Sequence, residues 1–94
     1  MTYELIFKEE ALKEWRQLDQ SLRDQFRKKL DERRRSPKVQ SARLRDIKNC
    51  YKIKLRSSGF RLVYEVRDKE IVIVVIAVGK RDRQKVYREA QRRL

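Results

Sequence analysis

CYKIKLRSSGFRLVYEVRDKEIVIVVIAVG, residues 50 to 79, decides the fold. It opens in strict alternation, with Tyr51, Ile53 and Leu55 pointing one way and Lys52, Lys54 and Arg56 the other. That is the period of a strand covered on one face. Ser57-Ser58-Gly59 reverses the chain, and Gly59 can take the positive φ that such turns often need. The return strand alternates as well: Phe60, Leu62, Tyr64 and Val66 form its apolar face, with Arg61, Val63, Glu65 and Arg67 opposite. After a polar turn at Arg67-Asp68-Lys69-Glu70, every residue from Ile71 to Val78 is apolar, as in a central strand buried on both faces. The stretch predicts a small antiparallel meander whose first hairpin carries cations along one side.

Cations alternating along a strand are commonly only its solvated face, and charge pattern alone is a weak indicator. The run that follows adds weight. Gly79-Lys80-Arg81-Asp82-Arg83-Gln84-Lys85-Val86-Tyr87 brings more cations and a tyrosine to one end of the same sheet.

Working outward, Thr2 to Phe7 is a short strand. Glu9 to Leu18 carries Ala11, Leu12, Trp15 and Leu18 at helical spacing, with Glu9 and Glu10 favourable in the first turn. Trp15 is expected as a core anchor rather than a platform for a stacked base. Asp19 can cap a second helix that presents Leu22, Phe26 and Leu30 as one stripe. That helix ends in Arg33-Arg34-Arg35, cations that suit a helix C-terminus, and Ser36-Pro37 stops it. The triple arginine has two compatible readings, a solvated helix end and a phosphate-contacting patch that positions RNA without reading its sequence. Lys38 to Asn49 reads as a connecting loop tethered by Leu44 and Ile47, with Arg43 and Arg45 exposed. Asp82 can cap a last helix, Arg83 to Arg93, whose apolar residues are few: Val86, Ala90 and Leu94. Such a helix gains little from packing and is open to displacement. The expected fold class is α+β, a single domain over residues 1–94. In it a small antiparallel sheet packs against an N-terminal α-helical hairpin, with a short C-terminal helix.

In 94 residues, 27 Lys and Arg face 14 Asp and Glu, a net charge of +13. Self-repulsion of that size points to polyanionic or acidic partners, nucleic acid first and an acidic protein second. Apolar residues recur along the whole chain, so the charge covers a globular body. Cys50 stands alone, which excludes an intrachain disulfide, and without histidine no metal set can be assembled around it. It is expected as a small residue at a strand start. Leu5-Ile6-Phe7 is followed at once by Lys8-Glu9-Glu10, too short for a leader. The longest apolar run is far short of a membrane span. A cytoplasmic protein with no membrane partner is expected.

The absence of histidine removes the usual acid–base group and any Ser-His-Asp or Cys-His nucleophile. No Gly-rich phosphate loop is present. What remains is Lys52, Lys54, Arg61 and Arg81 with Tyr87, a set suited to one reaction: attack of an RNA 2′-hydroxyl on the neighbouring phosphodiester. Negative charge develops on phosphoryl oxygens there, and preorganised Lys and Arg groups stabilise it without any cofactor.

The segment CYKIKLRSSGFRLVYEV followed by VGKRDRQKVY resembles the RelE family of bacterial toxins, in order and over the whole chain. The likeness is most specific from Cys50 to Tyr87. That resemblance implies a toxin of a type II toxin–antitoxin system with a fold like that of small microbial ribonucleases. It implies cleavage of messenger RNA in the ribosomal A site, leaving a 2′,3′-cyclic phosphate and a 5′-hydroxyl. The implied partners are mRNA and ribosomal RNA, a RelB-like antitoxin able to displace the last helix, and promoter DNA through the toxin–antitoxin complex. The family's catalytic positions fall on Lys52, Lys54, Arg61, Arg81 and Tyr87, and Arg45 matches a basic position linked to RNA contact. Arg56, Arg83 and Arg33, Arg34 and Arg35 are further expected contacts to RNA or the ribosome.

Phenols and ammonium groups are poor bases at neutral pH, and neighbouring cations improve both. Tyr87 or Lys54 is therefore expected as general base, Arg61 and Lys52 at the non-bridging oxygens and Arg81 at the leaving 5′-oxygen. A guanidinium scarcely deprotonates, which makes Arg81 an electrostatic stabiliser rather than an acid. With no tuned acid–base pair, the site depends on a substrate held in line for attack, and the ribosome can supply that geometry. Two alternatives are a noncatalytic RNA-binding module and a ParE-type toxin directed at DNA gyrase; the five-residue set argues against the second.

Overall fold

The computed structural model describes residues 2–80 and 84–94. In chain order its elements are β1 (Glu4–Phe7), α1 (Glu9–Arg16), α2 (Gln20–Arg35), a 3₁₀ turn (Gln40–Ala42), β2 (Cys50–Leu55), β3 (Phe60–Arg67), β4 (Val72–Lys80) and α3 (Lys85–Arg93). The strands form one sheet in the order β1-β4-β3-β2. The meander β2-β3-β4 is antiparallel as expected. The first strand differs: β1 runs parallel to β4, Glu4 opposite Val72 through Phe7 opposite Val75. This pairing makes β4 the central strand, and its unbroken apolar run follows from burial on both sides.

The hairpin forms where the alternation places it. Gly59 takes φ 78°, and its N–H donates to the Leu55 carbonyl at 2.8 Å. On one face of the sheet, α1 and α2 cover Tyr51, Ile53, Leu62, Tyr64, Ile73 and Val75. Trp15 is a core residue, its ring 5.2 Å from Phe7 and 6.3 Å from Phe26. Asp19 caps α2 by accepting from the Leu22 N–H at 2.9 Å, an interaction worth about 1 kcal/mol.

The other face carries a second cluster in which Ile47, Cys50, Val63, Ile76 and Ala77 meet Val86 and Ala90 of α3. Val63 pairs with Ala77 and Tyr64 with Val75, so Ile76 has no partner on β3. This bulge resets the alternation, turning Ile76 and Ala77 to the same face. Gly79 lets α3 approach closely, because a Cβ there would lie 3.0 Å from Val86 Cγ2. Leu94, expected on the apolar stripe, is instead 47% exposed. The expected Asp82 cap lies outside the described residues. Cys50 is fully buried, and burial pushes its thiol up to about 12, which makes it unreactive.

Candidate active site

The strand period and the helical period bring the basic residues together. Lys52 and Lys54 are two apart on β2 and share a face, and the antiparallel register sets Arg61 of β3 directly opposite Lys54. Like charges at directly opposed positions repel one another, and an anion seated between them would relieve that repulsion. Above them α3 contributes Tyr87, one residue past the buried Val86. The Arg61 guanidinium donates to the Tyr87 hydroxyl at 2.9 Å, and its central carbon lies 5.7 Å from the ring centroid. That contact combines a hydrogen bond with a cation–π interaction.

These four residues and Arg45 line a single open hollow of about 580 Å³ between the β2–β3 hairpin, the 43–47 segment and α3. Arg56 lines a smaller hollow of about 350 Å³ that shares Lys54 and Arg61 with the first. The charges of Lys52 and then Arg61, with some burial, hold the Lys54 ammonium below the ordinary lysine range. A lysine with a lowered pKa and two further cations thus share one wall. Arg81 and Arg83 lie outside the described residues.

Arg33, Arg34 and Arg35 are not brought to this hollow. They end α2, which packs on the opposite face of the sheet. Arg33 is half-buried over the Tyr64 ring, donating to the Tyr64 hydroxyl at 2.8 Å and to the Lys52 carbonyl at 3.2 Å. It thereby covers the open edge of β2 behind Lys52. Arg34 donates to the Tyr3 carbonyl at 2.8 Å. Both side chains are committed to the fold, and Arg35 alone of the three is exposed. The Tyr64 hydroxyl donates in turn to the Pro37 carbonyl at 2.6 Å, and burial holds its phenol above the usual range.

Gln84, Arg88 and Gln91 also line the main hollow, and the sequence reading did not single them out. Arg88 and Gln91, three apart, share a face of α3 with Tyr87, and Gln84 stands just before the helix with φ 66°. A helical-period search for polar rather than apolar residues finds them. Asp46, the carboxylate in this lining, comes from the connecting loop and carries no such signal.

Residues 5–85 match the family model described as the ParE toxin of the type II toxin–antitoxin system parDE. Over 94 residues the chain is 54% identical to the mRNA interferase toxin RelE of Escherichia coli K12, covering 100% of this chain and 99% of that one. It resembles the structure of the free R81A/R83A variant of E. coli toxin RelE with a TM-score of 0.93 at 52% identity, covering 100% of this chain and 99% of that one. Against the structure of the intact E. coli RelBE toxin–antitoxin complex the TM-score is 0.83 at 54% identity, covering 86% of this chain and 99% of that one.

Proposed function

The chain belongs to the RelE/ParE family of type II toxins, and from that premise we propose that it is an mRNA interferase that cuts messenger RNA in the ribosomal A site. The observation that carries this reading is the Arg61–Tyr87 contact standing over Lys52 and Lys54 in one hollow. A phosphodiester seated there meets cations at its non-bridging oxygens. Lys54 in its neutral form, or Tyr87, takes the proton of the attacking 2′-hydroxyl. The 2′-oxygen bonds to phosphorus, the bond to the 5′-oxygen breaks, and that oxygen takes a proton from water, leaving a cyclic phosphate and a 5′-hydroxyl. Lys52 and Arg61 stabilise the charge that develops between those events. Arg81 is assigned to the leaving oxygen and Arg45, Arg56, Arg83 and Arg35 to phosphate contacts.

The ParE name of the matching family model raises a second reading, action on DNA gyrase. The 54% identity over the full chain with an mRNA interferase and the cation-lined hollow favour the nuclease. We further assign a RelB-like antitoxin as partner, since relatives of this chain are seen with theirs. Among the described residues no helix is long and apolar enough to cross a membrane; we place the protein in the cytoplasm with its ribosomal substrate.

Primer extension on an mRNA, with and without ribosomes stalled at an empty A site, tests the reading. Cuts confined to the A-site codon and dependent on ribosomes are expected; no cleavage under either condition, with the protein folded, would sink it. The same assay carries a pH prediction. A lysine base works only when neutral, so the rate should climb tenfold per pH unit below the Lys54 pKa and level off above it. Neighbouring cations lower that pKa, so the plateau should begin below pH 10.5, the ordinary lysine value. Lys52→Met removes the largest of those charges and should shift the limb to higher pH. A limb unmoved by Lys52→Met would take the base role from Lys54.

A further inference from the structure

On the side of β4 that faces β1, pairing stops early. β1 ends at Phe7, opposite Val75, and the Lys8 N–H makes the last ladder bond, to the Val75 carbonyl at 3.0 Å. Beyond it the Ile76 carbonyl and the Val78 N–H would be left without a strand, and unpaired backbone groups at a sheet edge need partners. Two side chains supply them. Glu14 of α1 accepts from the Val78 N–H at 3.1 Å, and Arg93 of α3 donates to the Ile76 carbonyl at 2.8 Å.

The two side chains are also bonded to each other. Arg93 reaches Glu14 Oε1 at 2.8 Å and Oε2 at 3.0 Å, a bidentate pair with the arginine side chain only 6% exposed. Its Nε, which makes no hydrogen bond among the described residues, lies 3.5 Å from Glu10 Oε2. Donor and acceptor alternate along this pair as they would along a strand, so it stands in for the strand that β1 does not extend.

We infer that Glu14 and Arg93 are positioning residues for Tyr87, an assignment that rests on the nuclease reading for its kinetic consequence. α3 has nine residues and buries only Val86 and Ala90 fully, too little apolar surface to fix its pose alone. The clamp at its C-terminal end ties it to α1 and to the bulge of β4 together. Tyr87 rides on the same helix, and its hydroxyl meets Arg61 only while that helix stays seated. Catalytic groups tolerate little displacement; a shift of about 1 Å can cost 10²-fold.

Glu14→Gln is the informative variant, because an amide oxygen can still accept from Val78 while the ion pair to Arg93 is lost. The chain's four tyrosines, labelled as 3-fluorotyrosine and assigned by single Tyr→Phe changes, report position by fluorine NMR. Kinetics on unlabelled protein report turnover. The expected result is a shifted and broadened Tyr87 signal with those of Tyr3, Tyr51 and Tyr64 unmoved. Along with it, kcat should fall about 10- to 100-fold, with KM for programmed ribosomes unchanged. Arg93→Lys keeps a charge but lacks the fork that bonds Glu14 and Ile76 together, and should give the same pair of changes. Glu10→Gln, on the exposed side of the cluster, should give neither.

A kcat loss with Tyr87 unmoved, or a moved Tyr87 with kcat intact, would overturn the inference. So would all four signals shifting together, which would reveal general loosening. Should the wild-type protein cut nothing, the nuclease reading fails by itself, and the fluorine spectra still decide whether the pair positions Tyr87.

Discussion

Arg61→Ala is expected to lower the rate of A-site cleavage by about 10²–10³-fold, the loss of about 2.7–4 kcal/mol usual for a preorganised charge stabiliser. Its guanidinium opposes Lys54 across the hairpin and donates to the Tyr87 hydroxyl, so one truncation removes a phosphate contact and loosens a second group. Arg61→Lys should recover little, because a point charge on a flexible stem cannot reproduce the planar contact with the tyrosine ring. The fold should not suffer. Removing a like charge directly opposite Lys54 relieves repulsion, so the melting temperature should hold or rise slightly. Single-turnover cleavage on programmed ribosomes, run beside a thermal melt, checks both halves. Activity within threefold of wild type would take Arg61 out of the chemistry.

Phe26→Ala should have the largest effect on stability, about 3–5 kcal/mol. Phe26 is fully buried, its ring centroid 6.3 Å from that of Trp15, at the point where α1, α2 and the sheet meet. The ring cannot be replaced by a small rearrangement, since neighbours from three elements would have to close on the cavity. A domain with about 5–15 kcal/mol in total would lose a large part of its margin. Urea denaturation should show a lower midpoint with an unchanged slope. A loss below 1 kcal/mol would mean that the helical hairpin contributes far less than its burial implies.

The features legible in the sequence are those whose causes are local. Alternation from Tyr51 to Val66 places the hairpin and its cationic face, Gly59 marks the turn, and Asp19 marks the start of α2. The parallel pairing of β1 with β4 joins residues nearly seventy positions apart, and no pattern within either strand announces it. The bulge at Ile76 is equally silent, because a run apolar at every position shows no phase to shift. Arg93 sits in a tail that reads as polar and solvated, yet its partner Glu14 lies on another helix and draws it under cover.

The candidate site divides in the same way. Lys52, Lys54 and Arg61 follow from strand period and Tyr87 from the basic run after the central strand, whereas the role of Arg45 enters through family resemblance. Arg33 and Arg34 have the composition of a phosphate patch, but the open edge of β2 and the Tyr3 carbonyl engage them first. Charge counts cannot distinguish a cation offered to solvent from one bonded to a nearby carbonyl.

The β1–β4 pairing also sets an order of events during synthesis. The first strand has no partner until residues 72–75 have been made, and the hollow is not walled until Tyr87 follows. Contacts so distant in sequence form late and slowly. Until the last helix has been made, the hollow lacks the wall that carries Tyr87. On the proposed nuclease reading, translation of the message thus runs most of its course before its product has a complete site.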